Sequence, residues 1–252
     1  MKITRFVHDS KEKWGALNKD TISIIKGNIF EEYEITEEKV SIDDVKLLAP
    51  CSPTKGICVG LNYKNHANEM NEELPKEPLI FMKPSSSLNN PNDNIKYPSI
   101  SKNLHYEAEL GIVIKKKAYK VSKDKANDYI LGYTCANDVT ARDLQKQDGQ
   151  WTRGKSFDTF MPIGPVIETN IDPHNLDIKL YLNDEIRQSS NTQEFIFKVP
   201  EIIEFITQGM TLYPGDVILT GTPSGVGEMN IDDVVTVEIE GIGKLKNTVI
   251  KD

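Results

Sequence analysis

The sequence predicts an α+β fold, on three observations. Apolar residues occur mainly in short runs of strand length, helical spacing is confined to short segments, and no strand–helix alternation repeats along the 252 residues. That length accommodates one large domain, or one domain with a small appendage. Hydrophobic residues make up 38% of the chain and charged residues 27%, so we expect a packed core and exclude a disordered chain.

The N-terminal part of the chain predicts a small β subdomain. Residues 2–7 and 21–25 are short β segments separated by polar turns. Two prolines in residues 48–53 favour an extended chain at this point. We therefore place a boundary there, with a subdomain over 1–50 and a larger domain over 51–252.

The larger domain begins with the strongest strand signals. Runs of apolar residues predict strands over 56–60, 79–82, 107–115 and 129–136. Residues 200–206 start with a proline and have helical apolar spacing, so they predict a helix. Residues 234–249 alternate apolar and polar side chains around a glycine-containing turn, which predicts a β-hairpin.

Charge and composition restrict the partners. The 30 basic residues are outnumbered by 38 acidic ones, and a net charge of −8 disfavours nucleic acid. No apolar run reaches the ~18 residues that a membrane span needs. An early charge cluster leaves no room for a signal peptide, and three cysteines form neither a CxxC motif nor an even set. We therefore expect a cytoplasmic protein without nucleic-acid or membrane partners.

Three acidic residues stand at the ends of predicted strands. Glu107 and Glu109 are two positions apart, so a strand would place both carboxylates on one face. Taken alone, the pair fits an exposed strand end equally well. Asp138 follows the next strand, where it could instead cap a helix. Together the three carboxylates predict a site for Mg²⁺ or Mn²⁺, for which Ca²⁺ can substitute.

Two further clusters could take part in chemistry. His66 and Glu69 are three residues apart and would share one face of a helix, where they could form a general base. A surface helix with an incidental histidine explains the same pattern. Lys155 lies between a glycine and a serine, and its ammonium could stabilise an enolate. A solvated lysine is the alternative.

Six segments, taken in order, resemble the fumarylacetoacetate hydrolase family over about residues 50–250. They are 62–69 (NYKNHANE), 81–85 (FMKPS), 105–110 (HYEAEL), 137–143 (NDVTARD), 155–158 (KSFD) and 219–227 (LTGTPSGVG). The resemblance implies a mixed β-sandwich roll with short helices, usually a homodimer. The first fifty residues resemble the small β subdomain of the subgroup that includes 2-hydroxyhepta-2,4-diene-1,7-dioate isomerases and acylpyruvate hydrolases.

The resemblance also assigns roles to particular residues. The implied metal ligands are Glu107, Glu109 and Asp138. His66 and Glu69 would be the acid/base pair, carried on a lid over about residues 62–78 that orders over substrate.

Four other residues are assigned to the substrate side of the site. Lys155 would face the oxygens held by the metal. Arg142 and Gln145 would bind the substrate carboxylate or enol, and the loop of Thr222 would close the pocket.

We therefore predict a metal-dependent enzyme that acts on a small 2-oxo or 2-enol carboxylic acid, with a role in aromatic catabolism. Two reactions come first, C–C hydrolysis of an acylpyruvate and isomerisation of 2-hydroxyhepta-2,4-diene-1,7-dioate. Decarboxylation or tautomerisation of oxaloacetate is the alternative within the same chemistry. From other classes, a metal-dependent nuclease and a non-catalytic Ca²⁺-binding module stay open.

Overall fold

Strands dominate the computed structural model, which describes residues 1–65 and 74–252. The first ten strands are β1 (Lys2–His8), β2 (Lys11–Asn18), β3 (Thr21–Gly27), β4 (Tyr33–Ser41), β5 (Lys46–Leu48), β6 (Lys55–Gly60), β7 (Leu79–Pro84), β8 (Leu88–Asn89), β9 (Ile95–Tyr97) and β10 (Leu104–Tyr106). The next ten are β11 (Ala108–Ile114), β12 (Ile130–Asn137), β13 (Thr140–Ala141), β14 (Met161–Glu168), β15 (Asp177–Leu182), β16 (Glu185–Asn191), β17 (Val217–Leu219), β18 (Gly227–Met229), β19 (Val234–Ile239) and β20 (Gly243–Lys251).

The helices are few and short. Among the described residues, α-helices span Arg142–Asp148, Thr152–Lys155 and Val199–Gly209. Short 3₁₀ helices span Ile42–Asp44, Ser85–Ser87, Lys123–Tyr129 and Thr192–Glu194. None of the helices in this part of the chain is long and apolar enough to cross a bilayer. Short helices on mixed sheets confirm the predicted α+β fold.

The helix over Val199–Gly209 follows the predicted pattern. Its apolar residues Ile202, Ile203 and Ile206 recur at helical spacing and are buried in the main core. Glu201 accepts a hydrogen bond from the backbone N–H of Lys198 at 2.9 Å, which satisfies a donor at the N-terminus of the helix.

One large sheet organises the molecule. Its strand order is β4-β3-β2-β1-β14-β12-β11-β17-β6-β7, with β5 beside β1 and β8 beside β14. A five-stranded sheet has the order β16-β15-β19-β20-β9, and a three-stranded sheet has the order β13-β10-β18. Most pairs are antiparallel, and β6 runs parallel to β17. The predicted C-terminal hairpin is confirmed as β19 and β20.

The N-terminal strands continue the large sheet. β1 pairs with β14, where Lys2 lies opposite Glu168 and Ile3 opposite Ile167. Hydrogen bonds therefore cross the boundary that we place at about residue 50. The division into residues 1–50 and 51–252 stays a prediction.

The centre of the sheet sets the position of the polar residues. Every residue of β11 is buried between β12 and β17, as the continuous apolar run predicts. Because β11 and β12 are antiparallel, Ala108 at the start of one strand lies opposite Asn137 at the end of the other. The residues just before β11 and just after β12 are thereby brought together.

Candidate active site

Three buried carboxylates meet at this end of the sheet. Glu107 precedes β11, Glu109 lies within it, and Asp138 follows β12. One ligand oxygen from each of them lies within 4.8 Å of the others. The backbone N–H of Asp138 donates to the carbonyl of Glu107 at 2.9 Å, so the two loops are joined directly.

Both simpler interpretations of these residues are wrong. Glu107 and Glu109 are only 6% and 2% exposed, so they are not solvated glutamates at a strand end. Asp138 does not cap a helix, because the short strand over Thr140–Ala141 follows it and the helix begins only at Arg142.

Lys155 lies inside the carboxylate cluster. Its ammonium donates to Oε2 of Glu107 at 2.9 Å and to Oδ2 of Asp138 at 2.6 Å. The side chain is buried, so the alternative of a solvated lysine is wrong. Burial lowers the pKa of Lys155, but Asp138 and Glu107 outweigh that effect and raise it above its usual value. The lysine is therefore held as a cation.

A second buried lysine, which sequence reasoning missed, supports the cluster. Nζ of Lys83 donates to the backbone carbonyls of Val139 at 2.9 Å, Lys155 at 2.6 Å and Phe160 at 2.9 Å. It also lies 2.7 Å from Oδ1 of Asp138. Lys83 belongs to a segment that carries the family resemblance, and its position directly after the apolar run of residues 79–82 was the available signal.

Arg142 and Gln145 extend the cluster on the helix over Arg142–Asp148. The guanidinium of Arg142 donates to Oε1 of Glu107 and, at 2.7 Å, to Oε1 of Gln145. Burial opposes ionisation of Glu107, but Lys155 and Arg142 outweigh it and hold the pKa of this carboxyl below its usual range. Glu107 is therefore ionised and paired with two cations.

Glu109 has a different environment. The backbone N–H of Gly221 donates to its Oε2 at 2.6 Å. Within residues 1–65 and 74–252, no cationic side chain forms an ion pair with it. Burial, together with the neighbouring charges of Asp138 and Glu107, raises the pKa of Glu109 well above its usual value. When Glu109 is ionised, its negative charge is thus only partly compensated.

The loop that follows Gly221 is attached to the start of β11. Nε2 of Gln188 donates to Oγ1 of Thr222 at 2.9 Å and to the carbonyl of Pro223 at 2.8 Å. Oε1 of Gln188 accepts from the backbone N–H of Ala108 at 2.9 Å. Gln188 therefore positions the loop of Thr222 beside the carboxylates, a role that no local sequence pattern indicated.

The three carboxylates and Lys155 border one cavity of about 200 Å³. Its walls contain every predicted site residue that the structure describes, namely Glu107, Glu109, Asp138, Arg142, Gln145, Lys155 and Thr222. The predicted acid/base pair, His66 and Glu69, lies outside the described residues, as do residues 66–73 of the predicted lid.

The donor set fits a divalent cation. Three carboxylates converge at the cavity, and hard cations such as Mg²⁺ and Mn²⁺ prefer oxygen ligands. The partly compensated charge of Glu109 favours a cation at this point. We therefore expect Glu107, Glu109 and Asp138 to hold the metal.

Comparison with known proteins shows the family to which the chain is similar. A family model described as fumarylacetoacetate (FAA) hydrolase C-terminal matches residues 55–250, and one described as Rv2993c-like, N-terminal matches residues 1–50. The uncharacterized protein MJ1656 of Methanocaldococcus jannaschii is 58% identical over 211 residues, which cover 84% of this chain and 89% of the relative.

Two named proteins are also similar. The mitochondrial oxaloacetate tautomerase Fahd2a of Rattus norvegicus is 46% identical over 218 residues, 82% of this chain and 70% of the relative. The crystal structure of 2-hydroxyhepta-2,4-diene-1,7-dioate isomerase from Mycobacterium marinum superposes with a TM-score of 0.93 at 40% identity, covering 100% of this chain and 99% of that one. The chain therefore belongs to the fumarylacetoacetate hydrolase family.

Proposed function

We propose that the protein is a metal-dependent enzyme that moves a proton at the carbon beside the oxo group of a small 2-oxo acid. The reaction is an enol–keto tautomerisation or a double-bond isomerisation. The observation that carries the proposal is the carboxylate triad Glu107, Glu109 and Asp138, which meets the buried cation Lys155 in one cavity. The names of the tautomerase and isomerase relatives support it, because both reactions pass through an enol or enolate.

The charges of the site suit such a substrate. Among the described residues, three carboxylates are matched by Lys83, Lys155 and Arg142, so the cluster is formally neutral. A divalent cation would add two positive charges. The carboxylate of a 2-oxo acid and the oxyanion of its enolate together carry two negative charges.

Each residue then has a physical task. When bound, the metal supplies Lewis-acid polarisation of the substrate's oxo group. Lys155 places a fixed positive charge next to the same cavity, and such a preorganised charge stabilises a developing oxyanion. Arg142 and Gln145 lie one helical turn apart and line the cavity, where they can orient the carboxylate of the substrate.

The proton itself needs a base. Our candidates are His66 and Glu69, which rest on the family resemblance and lie outside the described residues. We expect His66→Ala to lower turnover by ~10²–10⁴, the usual contribution of a positioned general base, and to leave metal binding intact. Unchanged turnover would contradict the assignment and favour the incidental histidine.

C–C hydrolysis of an acylpyruvate is the second candidate. It is favoured by the family model that matches residues 55–250, whose description is that of a hydrolase. The same enolate is the leaving group in that reaction, and the base activates water instead of moving a proton between carbon and oxygen. Decarboxylation of oxaloacetate needs the enolate and no water.

The test is a product assay on a panel of substrates. The purified protein is incubated with enol-oxaloacetate, a 2-hydroxydienoate and an acylpyruvate in the presence of Mg²⁺ or Mn²⁺, then again after EDTA. We expect turnover of at least one 2-oxo acid that EDTA abolishes and added metal restores. Activity that survives EDTA, or no turnover of any of the acids, would contradict the proposal. Plasmid DNA in parallel tests the nuclease alternative.

Three further proposals do not concern the chemistry. We infer a boundary at about residue 50 between a small subdomain and the catalytic domain, because separate family models match on either side of it. We also infer a homodimer and a cytoplasmic location, which rest on the family resemblance and on composition.

A further inference from the structure

The charged end of the cavity continues into an aromatic wall. Nζ of Lys155 lies 5.0 Å from the ring centroid of Phe81. The Phe81 ring in turn packs edge to face against the indole of Trp151, with centroids 5.1 Å apart and planes at 74°. Both rings are half-buried and line the cavity. A ligand anchored among the charges can therefore extend along these two rings.

Gly60 allows the indole to take this position. A Cβ atom on Gly60 would lie only 3.0 Å from Cζ3 and 3.2 Å from Cη2 of Trp151. The conformation of Gly60 does not require glycine, because its φ is not positive, so the missing side chain is needed for space. Val59 and Leu61, on either side, line the same cavity. The indole is thus packed between the end of β6 and Phe81.

The chemistry of this wall selects among 2-oxo acids. The face of an aromatic ring carries partial negative charge, so it repels a carboxylate and attracts a flat, uncharged π system or the edge of one. Burial of such a group also removes apolar surface from water. A short dicarboxylate would bring its second carboxylate against the wall, whereas a conjugated ketone or diene would pack on it.

We propose that Phe81 and Trp151 form a subsite for an uncharged, planar, conjugated segment of the substrate that follows the reacting carbon. The inference rests on the proposed function, since the 2-oxo acid end anchors the ligand. It narrows the substrate class to 2-oxo acids with an acyl or alkenyl extension, in preference to oxaloacetate.

The same cavity contains a feature that would serve the other class. Lys146 is exposed and lines the cavity, so its ammonium could pair with the second carboxylate of a short dicarboxylate. The two classes of substrate therefore predict different effects of single substitutions. A conjugated extension depends on Trp151, and a second carboxylate depends on Lys146.

The first experiment measures inhibition constants with Mg²⁺ in excess. Oxalate imitates the 2-oxo acid end alone, and benzoylpyruvate carries the same end with a flat conjugated extension. We expect Trp151→Ala to raise the inhibition constant of benzoylpyruvate by about 10- to 100-fold. The inhibition constant of oxalate should change by less than about twofold. Trp151→Phe should recover most of the affinity, because it keeps an aromatic face.

Two further variants serve as matched controls. Gly60→Ala should weaken the binding of benzoylpyruvate more than that of oxalate, because the new methyl group displaces the indole of Trp151. Lys146→Ala should leave both inhibition constants within about twofold. Both carboxylates of oxalate belong to the end that imitates the 2-oxo acid, and benzoylpyruvate carries no carboxylate on its extension to pair with this lysine.

Fluorescence provides a readout that does not depend on turnover. The chain has two tryptophans, and the other one, Trp14, lies in β2 near Arg5. In Trp14→Phe, Trp151 is the sole indole, and benzoylpyruvate with Mg²⁺ should quench its emission after correction for absorbance. In Trp151→Phe, the emission of Trp14 should stay unchanged.

The outcomes separate the two proposals. If neither inhibitor binds the wild type with Mg²⁺ or Mn²⁺, the proposed function fails and the subsite with it. If both bind and Trp151→Ala leaves their ratio unchanged, the subsite alone is contradicted. If Lys146→Ala selectively impairs oxaloacetate while Trp151→Ala has no effect on any substrate, the short dicarboxylate is the substrate and the subsite is wrong.

Discussion

Two buried acidic sites in this molecule have opposite characters. Asp216, which is 0% exposed, accepts hydrogen bonds from the backbone N–H and Oγ1 of Thr54 at 2.9 and 2.7 Å. It also accepts from the backbone N–H of Tyr213 at 2.9 Å, and Nζ of Lys55 lies 2.6 Å away. Both oxygens of this carboxylate are therefore well satisfied.

The carboxylate triad is arranged differently. Glu107 and Asp138 are paired with cations that reach them from distant parts of the chain. Within the described part of the chain, Glu109 instead accepts one hydrogen bond, from the backbone N–H of Gly221. All three carboxylates border a cavity. Burial of an acid is common to both sites, so burial alone does not mark function. The triad differs from Asp216 in that it borders a cavity and includes Glu109, which forms no ion pair with the described residues.

The largest expected effect comes from removing the least compensated carboxylate. We expect Glu109→Ala to abolish metal-dependent turnover and to weaken Mg²⁺ binding beyond detection, while the protein stays folded. The reason is that the variant loses a metal ligand but also loses the desolvation cost of a buried charge. Calorimetry with Mg²⁺ and a thermal unfolding curve measure both effects, with Glu109→Gln as the isosteric control. Unchanged Mg²⁺ affinity would contradict the assignment.

The next largest effect on turnover is expected at Lys155. Here the substitution should strengthen Mg²⁺ binding, whereas Glu109→Ala should weaken it. We expect Lys155→Met to lower turnover by ~10²–10³, because a preorganised charge near the developing oxyanion is lost. The same change should strengthen Mg²⁺ binding, since an ammonium no longer pairs with Glu107 and Asp138. Calorimetry on this variant and on Glu109→Ala measures whether each substitution raises or lowers the Mg²⁺ affinity. Weaker Mg²⁺ binding in Lys155→Met would show that the lysine positions the ligands.

Asp216 should affect stability alone. We expect Asp216→Ala to lower the free energy of unfolding by about 3 kcal/mol, because it leaves three backbone N–H groups and a half-buried lysine without their partner. Urea denaturation measures this loss. The Mg²⁺ affinity of the folded variant should equal that of the wild type, and a weaker affinity would mean that the two acidic sites are coupled.

The smallest expected effect uses the cysteines as probes of the two sites. Burial raises the pKa of Cys51 and Cys135 to about 12 and that of Cys58 well above its usual value. A thiol with a raised pKa forms the reactive thiolate only at high pH, so labelling at neutral pH should be very slow in the native protein.

The variants then distinguish the sites. Asp216→Ala should accelerate labelling by a disulfide reagent, since Cys51 lies in the neighbourhood of Asp216 and the fold is weakened. Glu109→Ala should leave the labelling rate unchanged. Rapid labelling of the wild type at pH 7 would contradict the conclusion that the three thiols are buried.

Local patterns predicted much of the fold. The continuous apolar run of β11, the helix over Val199–Gly209 and the hairpin of β19 and β20 all lie where periodicity placed them. Periodicity succeeds because strand and helix patterns depend on neighbours within a few residues. Local sequence did not reveal the role of Lys83, whose partners Val139, Lys155 and Phe160 are 56 to 77 positions away.

By itself, the sequence determined the element types, the acidic balance and the three carboxylates at strand ends, because these follow from residue identity and spacing. Only the tertiary structure decided that Asp138 is part of an ion cluster and not a helix cap, and that Lys155 is buried. It also joined Glu109 to Gly221, which is 112 positions away. The environment of a charged group is set by what packs around it, and these neighbours come from distant strands, so the character of the site emerges only when the sheet forms.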